Sequence, residues 1–156
     1  MKTMLTYLNI RRGLILVSVV FVMFAAWLLL APHRVASKEL TIGSRVLHVD
    51  MATTEAQRER GLGGRTSMTN DQGMLFVFPE RGVYPFWMKD MQFPLDIVWI
   101  DHGTVTEVAT LEPPANAAKQ PQEYMPKFPA DHVLEINADQ AKKLGLAPGT
   151  AIQLPK

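Results

Sequence analysis

The chain of 156 residues contains no cysteine, which excludes disulfide bridges, thiolate zinc sites and cysteine nucleophiles. It also lacks a strong charge of either sign, since its formal net charge is +1. A nucleic-acid-binding protein usually carries a basic face, so we expect no nucleic-acid partner. The length is typical of one domain, and the sequence has no internal repeats.

Signatures of familiar catalytic and cofactor sites are missing as well. Neither Ser44 nor Ser67 lies in a G-x-S-x-G nucleophile elbow. The glycine-rich segment 61–68 lacks the Lys-Ser/Thr ending of a phosphate-binding loop. Four histidines are scattered without the close carboxylate spacing of a metal site: His33, His48, His102 and His132. We therefore predict no catalytic residue, no metal and no cofactor.

What the chain does have is an uncharged apolar run at residues 13–31. About 20 apolar residues span a bilayer core as a helix. Lys2, Arg11 and Arg12 precede the run, which places the N-terminus in the cytoplasm. The sequence thus predicts a single-pass inner-membrane protein whose C-terminal domain lies in the periplasm or at the cell exterior.

This topology divides the chain into four predicted parts. They are a cytoplasmic N-terminus (1–12), a transmembrane anchor (13–31), a linker (32–38) and an extracytoplasmic β domain (39–156). The alternative is a cleaved signal peptide and a secreted domain. The apolar run is longer than the usual 7–15 residues of a signal peptide, and Leu29 or Arg34 would occupy the −3 position of the cleavage site. The anchor is therefore favoured.

Residues 86–101, FWMKDMQFPLDIVWID, hold two of the three tryptophans. Their second half, 95–101, is β-branched, aromatic and aliphatic, which predicts a buried strand. Further strands are predicted at 40–42, 45–52, 74–78, 104–111, 133–136 and 150–154, with turns at 79–82 and 101–103. Together with two short helices they indicate a mainly β sandwich or barrel.

Both helices carry end signals. Thr54 and Gln57 form a capping-box pattern at the start of the first helix, and Gly61 is suited to end it. Asn137 is the predicted N-cap of the second helix, 138–144, which Gly145 ends.

Five blocks occur in an order that resembles the family named domain of unknown function 192. They are GLGGR (61–65), GMLFVF (73–78), FWMKDM (86–91), PLDIVWID (94–101), and Tyr124 with FPADHVLEIN (128–137). The resemblance covers about residues 40–154 and implies a compact β-sandwich of jelly-roll type behind a membrane segment or export signal. It implies no established activity. The chain differs at Gly63, where the family more often has a larger residue such as Met.

The function class that the residues favour is a non-catalytic binding module. Aromatic side chains could form a face for a small ligand, with cations to bind its anionic or hydroxyl groups. The candidate ligand-binding residues are Arg65, Trp87, Lys89, Asp96, Tyr124 and Glu135. Two alternatives stay open, namely a small carboxylate-dependent hydrolase and a protein-partner domain whose proline-rich loop 112–130 is the contact surface. Met88-x-x-Met91 could bind Cu(I), although methionine more often fills core space.

Asp96 is the residue with the most specific structural expectation. In the strand 95–101 both faces are apolar apart from this carboxylate, so a strand covered on both sides would bury it. A buried charge requires a partner. We expect Arg65 to pair with Asp96, because a guanidinium can bond a carboxylate at two points.

Overall fold

The computed structural model describes Met23, residues 36–116 and residues 119–155. The predicted anchor and its signal-peptide alternative therefore lie outside the described residues, apart from Met23. Within the described residues, no helix is both long and apolar enough to cross a membrane. From Ala36 onward the described residues belong to one compact unit, Val35–Lys156.

The described unit is mainly β with two short helices, which confirms the predicted class. In chain order its elements are β1 (Ser37–Ile42), β2 (Arg45–Ala52), α1 (Glu55–Arg60), β3 (Gln72–Gly82), β4 (Phe86–Trp87), β5 (Leu95–Asp101), β6 (Thr104–Leu111), β7 (Glu123–Tyr124), β8 (Ala130–Asn137) and α2 (Gln140–Leu144). β1 begins inside the segment predicted as a linker, and β3 continues through the turn predicted at 79–82.

Six strands form one mixed sheet in the order β1-β2-β3-β8-β5-β6, and β4 and β7 form a second, two-stranded sheet. This division differs from the two comparable sheets of the expected jelly roll. The large sheet is mixed because of the connection between β2 and β3: α1 and the glycine-rich segment carry the chain back along β2, so β3 pairs with β2 in parallel from His48 onward.

The C-terminal segment joins the two edges of the large sheet. Gln153 bridges Thr41 in β1, and Ala151 bridges Thr104 in β6. The strand predicted at 150–154 is therefore present only as these two isolated bridges. They cover backbone groups that an edge strand would otherwise expose.

Each face of the large sheet is covered by a different part of the chain. The first face, which we call the α2 face, packs against α2 and the residues that follow it, including Leu146 and Ile152. The second, which we call the loop face, packs against Leu62 and the arm that contains Phe86, Met88 and Met91. The strand β5 is buried on both sides, as predicted from its sequence.

The start of α1 confirms its predicted capping box. The Thr54 hydroxyl accepts a hydrogen bond from the Gln57 N–H, and the Gln57 side chain accepts one from the Thr54 N–H. Gly61 ends the helix at a φ of 51°, in the region that favours glycine. Local spacing was enough to predict this helix because both partners lie within three residues.

The predicted start of α2 is wrong. The helix begins at Gln140 and its N-cap is Asp139, which makes no side-chain capping hydrogen bond. Asn137 instead donates from its side chain to the Met68 carbonyl at 2.7 Å. The N–H of Ala141 in the first turn has no acceptor within the helix and donates to the Asp96 carboxylate at 2.9 Å. A residue of the distant strand β5 therefore provides the cap.

Candidate functional site

A cavity of about 560 Å³ lies on the loop face, between α1, the glycine-rich segment and the arm that contains β4. Its lining includes 61–64, Phe76, Phe86, Trp87, Lys89, Asp90 and Glu135. Three of the six predicted ligand-binding residues are thus brought together: Trp87, Lys89 and Glu135. The other three do not line the cavity and have other hydrogen-bond partners, although Arg65 is near enough for its charge to act on Glu135.

Glu135 lies in the middle of β8, and its cross-strand neighbours are apolar. Met74 is opposite it on β3 and Ile97 is opposite it on β5. Both neighbours are buried on the loop face. At Gly73 a Cβ atom would lie 2.7 Å from the Glu135 carbonyl oxygen, so β3 approaches β8 closely only because residue 73 has no side chain.

The Glu135 carboxyl group is buried without a matching partner. The residue is 5% exposed, and its Oε2 has no hydrogen-bond partner among the residues that the structure describes. Burial raises the pKa of Glu135 from 4.5 to about 8, and the positive charge of Arg65 opposes this rise. At neutral pH the side chain is therefore mostly a neutral carboxylic acid, able to donate one hydrogen bond and accept others.

The glycine-rich segment forms one wall of the cavity and is held in place by backbone hydrogen bonds. The Gly63 N–H donates to the Arg60 carbonyl at 3.1 Å, and the Gly64 N–H donates to the Asp90 carbonyl at 2.9 Å. A Cβ at Gly63 would lie 3.1 Å from the Arg60 oxygen and 3.4 Å from the Lys89 oxygen. A larger side chain at this position would thus crowd the backbone of Arg60 and Lys89 at the cavity wall.

Trp87 and Lys89 lie at the mouth of the cavity. Trp87 is 52% exposed, whereas its chain neighbours Phe86 and Met88 are buried. The Lys89 Nζ lies 5.3 Å from the centroid of the Trp87 ring, a cation–π contact. An exposed indole beside a cation is suited to contact a ligand that enters the cavity.

The predicted ion pair between Arg65 and Asp96 is wrong. Arg65 Nη2 lies 2.6 Å from the Asp50 Oδ2, and the two side chains are 35% and 27% exposed. The parallel pairing of β2 with β3 places Asp50 beside Met74, on the side of the sheet reached by the glycine-rich segment. Sequence reasoning could not choose this carboxylate, because the order of the strands decides which acid Arg65 reaches.

Asp96 is buried as predicted, with 3% exposure, but its partners are neutral. It accepts hydrogen bonds from the Thr110 hydroxyl at 2.7 Å and from the Ala141 N–H at 2.9 Å. The strand alternation of β5 points it to the α2 face, whereas Glu135 lines the cavity on the loop face. Asp96 therefore has a structural role as the cap of α2.

Tyr124 also lies away from the cavity lining. Its hydroxyl donates to Glu107 Oε1 at 2.6 Å, and its ring lies 5.4 Å from that of Trp99. The hydrogen bond to Glu107 raises the pKa of Tyr124 above its usual value. This side chain joins the small sheet to the large one.

Sequence reasoning missed part of the wall: Phe76, Asp90 and Met91 line the cavity together with residues 61–64, three of which are glycines. The clustered glycines were the available signal, since close backbone approach is a common reason for them. Met88 and Met91 are buried in the core of the loop face, which supports the packing role for this pair.

A second polar cluster joins the end of β5 to the start of β8. Ligand atoms of Asp101, His102 and Asp131 lie within 4.8 Å of one another. The spacing in sequence hides this cluster, because Asp131 reaches it only through the pairing of β8 with β5. Arg81 Nε donates to both Asp101 oxygens at 2.8 and 2.9 Å, and this hydrogen bond lowers the pKa of Asp101. The His102 N–H donates to Asp131, so protein groups already satisfy these carboxylates.

Comparison with known proteins gives a family and two solved structures. The model of domain of unknown function 192, described as "Uncharacterized ACR", matches residues 38–154. A protein of Sinorhizobium meliloti, provisionally described as a transcription regulator, is 32% identical, with a TM-score of 0.66 over 76% of this chain and 94% of that one. A protein of unknown function from Novosphingobium aromaticivorans is 27% identical, with a TM-score of 0.64 over 77% and 85%.

No curated protein matches the chain at a significant level. The family model spans all but the first residue of the large sheet and both sides of the cavity. The resemblance noted from the five sequence blocks is thereby confirmed, and the chain belongs to the family of domain of unknown function 192.

Proposed function

We propose that this protein is a binding module that holds a small polar ligand in the cavity of the loop face. The observation that carries the proposal is Glu135, a buried carboxyl group with an unpartnered oxygen at the cavity. Buried polar groups are nearly always hydrogen-bonded in folded proteins. A ligand atom that bonds Glu135 would remove the cost of leaving this group unsatisfied.

The charge state of Glu135 restricts the chemistry of the ligand. A neutral carboxylic acid donates from its O–H, so it binds a ligand oxygen that can accept, such as a hydroxyl, carbonyl or carboxylate. Lys89 and Arg60 give the lining cationic hydrogen-bond donors, Glu59 and Asp90 balance their charge, and Trp87 offers an exposed aromatic surface. These groups together favour a ligand with hydroxyl, carbonyl or carboxylate oxygens and little net charge.

A specific observation also favours a second function, a carboxylate-dependent hydrolase. Glu135 has a raised pKa, and a second carboxylate, Asp90, lines the same cavity. Hydrolases use such a pair when one carboxyl group is a general acid and the other stays ionised. Binding ranks first because Glu135 lacks a positioned partner, whereas a catalytic acid needs a fixed geometry.

The test is a thermal-shift screen of the full chain with monosaccharides, disaccharides, amino acids and dicarboxylic acids at pH 6 and pH 9. A ligand that uses Glu135 as a donor should stabilise the protein more at pH 6, because the group is ionised at pH 9. Glu135→Gln should bind with little dependence on pH, since an amide keeps a donor. Asp96→Asn is the control, because Asp96 is buried outside the cavity.

Two results would contradict the proposal. One is a screen without any stabilising ligand, and the other is a ligand whose affinity is the same for the wild type, Glu135→Ala and Trp87→Ala. Turnover of a bound glycoside or ester that Glu135→Gln abolishes, while binding persists, would establish the hydrolase instead.

We further propose that the domain works outside the cytoplasm, anchored in the inner membrane by residues 13–31. The support is the uncharged apolar run with Lys2, Arg11 and Arg12 before it. Under this proposal the ligand reaches the cavity from the periplasm or the cell exterior.

The features of this chain do not favour the regulatory description given to the Sinorhizobium meliloti relative. The helices α1 and α2 contain only six and five residues, and the net charge is +1.

A further inference from the structure

A second cavity of about 510 Å³ adjoins the cavity at Glu135. The two share five lining residues, which are Arg58, Glu59, Phe76, Phe86 and Trp87. They are therefore two parts of one groove, with α1 along one side and β4 along the other. A ligand longer than a single sugar or amino acid could occupy both parts while passing Trp87.

The second cavity has a wall suited to an apolar side chain. Phe78 and Tyr84 stack with ring centroids 3.6 Å apart and an interplanar angle of 10°. Pro79 and Pro85 complete this wall. Arg58 is fixed beside it, with hydrogen bonds to the carbonyls of Thr53 and Val77. The groove thus has an apolar part and, at Glu135, a polar part.

The backbone of β4 is open on the side away from β7. The Met88 N–H donates to the Gln122 carbonyl, and Phe86 is opposite Tyr124. In an antiparallel pair bonded and non-bonded positions alternate, so Trp87, which is opposite Glu123, directs its N–H and C=O away from β7. Among the described strands, β7 is the only one that pairs with β4.

From these observations we propose that the groove binds an extended peptide, which adds a strand to β4 by pairing with the Trp87 backbone. This inference rests on the proposed binding function and names the ligand class of the same cavity. Peptides that extend a sheet obtain affinity from main-chain hydrogen bonds and specificity from pockets for alternate side chains. Here one pocket is the apolar part of the groove and the other contains Glu135.

The charges of the groove fit a peptide better than a polyanion. Arg58, Arg60 and Lys89 are offset by Glu55, Glu59 and Asp90 across the two cavities, so the rim has no strong excess of either sign. An oligosaccharide could stack on the Trp87 ring, but it has no peptide main chain that could pair with the open edge of β4. The edge strand is the observation that separates the two ligand classes.

The test is selection of peptides by the purified full chain, kept in detergent micelles that cover the apolar run. The probe is a library of random heptapeptides with blocked ends, and an array of oligosaccharides is screened in parallel. Each selected peptide is then made with a single N-methyl group at every position in turn. Methylation of the peptide N–H that donates to the Trp87 carbonyl should weaken binding about tenfold or more. Methylation of the peptide residues on either side of it should have little effect.

Two variants locate the site. Trp87→Pro removes the backbone donor of β4 and should abolish peptide binding. Phe128→Ala changes an aromatic residue with 53% exposure that lines neither cavity, and it should bind as the wild type does.

The inference is overturned if no peptide is selected, or if selected peptides tolerate methylation at every position. Capture of an oligosaccharide or a monomeric compound in a Glu135-dependent manner, without peptide binding, would overturn the peptide class and leave the binding function intact. Selected peptides that bind Glu135→Ala and Trp87→Pro unchanged would refute the cavity as the site, and with it the proposed function.

Discussion

Replacement of Glu135 by glutamine should change how the stability of the protein depends on pH. Burial raises the pKa of Glu135 from 4.5 to about 8. Between these pH values the folded state keeps the proton, whereas the unfolded state has released it. The wild type therefore has its full stability contribution from this group below about pH 4.5 and loses it as the pH rises to about 8.

The magnitude follows from the pKa difference. One pKa unit corresponds to about 1.4 kcal/mol of free energy. The interval from 4.5 to about 8 thus corresponds to a loss of roughly 4–5 kcal/mol in the free energy of unfolding. Small domains are stable by only about 5–15 kcal/mol, so the effect is large enough to measure. Glutamine does not titrate, so Glu135→Gln should not show this loss.

The assay is chemical denaturation of the wild type and Glu135→Gln at intervals from pH 4.5 to pH 9. The difference between the two free energies of unfolding isolates Glu135, because other titrating groups are common to both proteins. The variant should gain on the wild type steadily up to about pH 8 and then stop gaining. Glu80→Gln, which makes the same substitution at an exposed glutamate, is measured alongside as the control.

A flat difference for Glu135→Gln, within about 1 kcal/mol across this range, would refute the assignment of a buried neutral carboxyl group. A difference of the opposite slope would show that a cation stabilises the ionised form. Arg65 is the cation that opposes the rise in the pKa, so Arg65→Ala should shift the midpoint of the Glu135 titration to higher pH.

Three further predictions rest on contacts in the structure, and a fourth rests on the apolar run at residues 13–31. Asp96→Ala should lower the free energy of unfolding by about 2–4 kcal/mol in chemical denaturation, because it leaves two hydrogen-bond donors unpaired. The effects of Asp96→Ala and Arg65→Ala should add within about 0.5 kcal/mol, because the two side chains share no partner. Strong coupling between the two substitutions would contradict the observed pairing. Thr54→Ala should cost about 1 kcal/mol through loss of the cap, and an unchanged unfolding midpoint would contradict this. Gly73→Ala should cost about 1–3 kcal/mol because its Cβ would lie 2.7 Å from a carbonyl oxygen, and wild-type stability would show that β3 can move. A phosphatase fused to the C-terminus should be active only outside the cytoplasm, and activity inside would refute the predicted topology.

The sequence alone determined those features whose hydrogen-bonding partners are close along the chain. Thr54 and Gln57 lie three residues apart, so their capping box could be recognised from spacing. The hairpin around 101–103 was predictable in the same way, because His102 and Gly103 take the positive φ that its tight turn requires. The apolar composition of 95–101 likewise predicted a strand that is buried on both faces.

The tertiary structure decided which distant groups meet. The parallel pairing of β2 with β3 placed Asp50, and not Asp96, beside Arg65. The insertion of β8 between β3 and β5 surrounded Glu135 with apolar neighbours and left its carboxyl group at a cavity. These outcomes depend on strand order and register, because a shift of one residue moves every side chain to the opposite face of the sheet. A candidate site built from residues 40 or more positions apart therefore needed the fold before its members could be chosen.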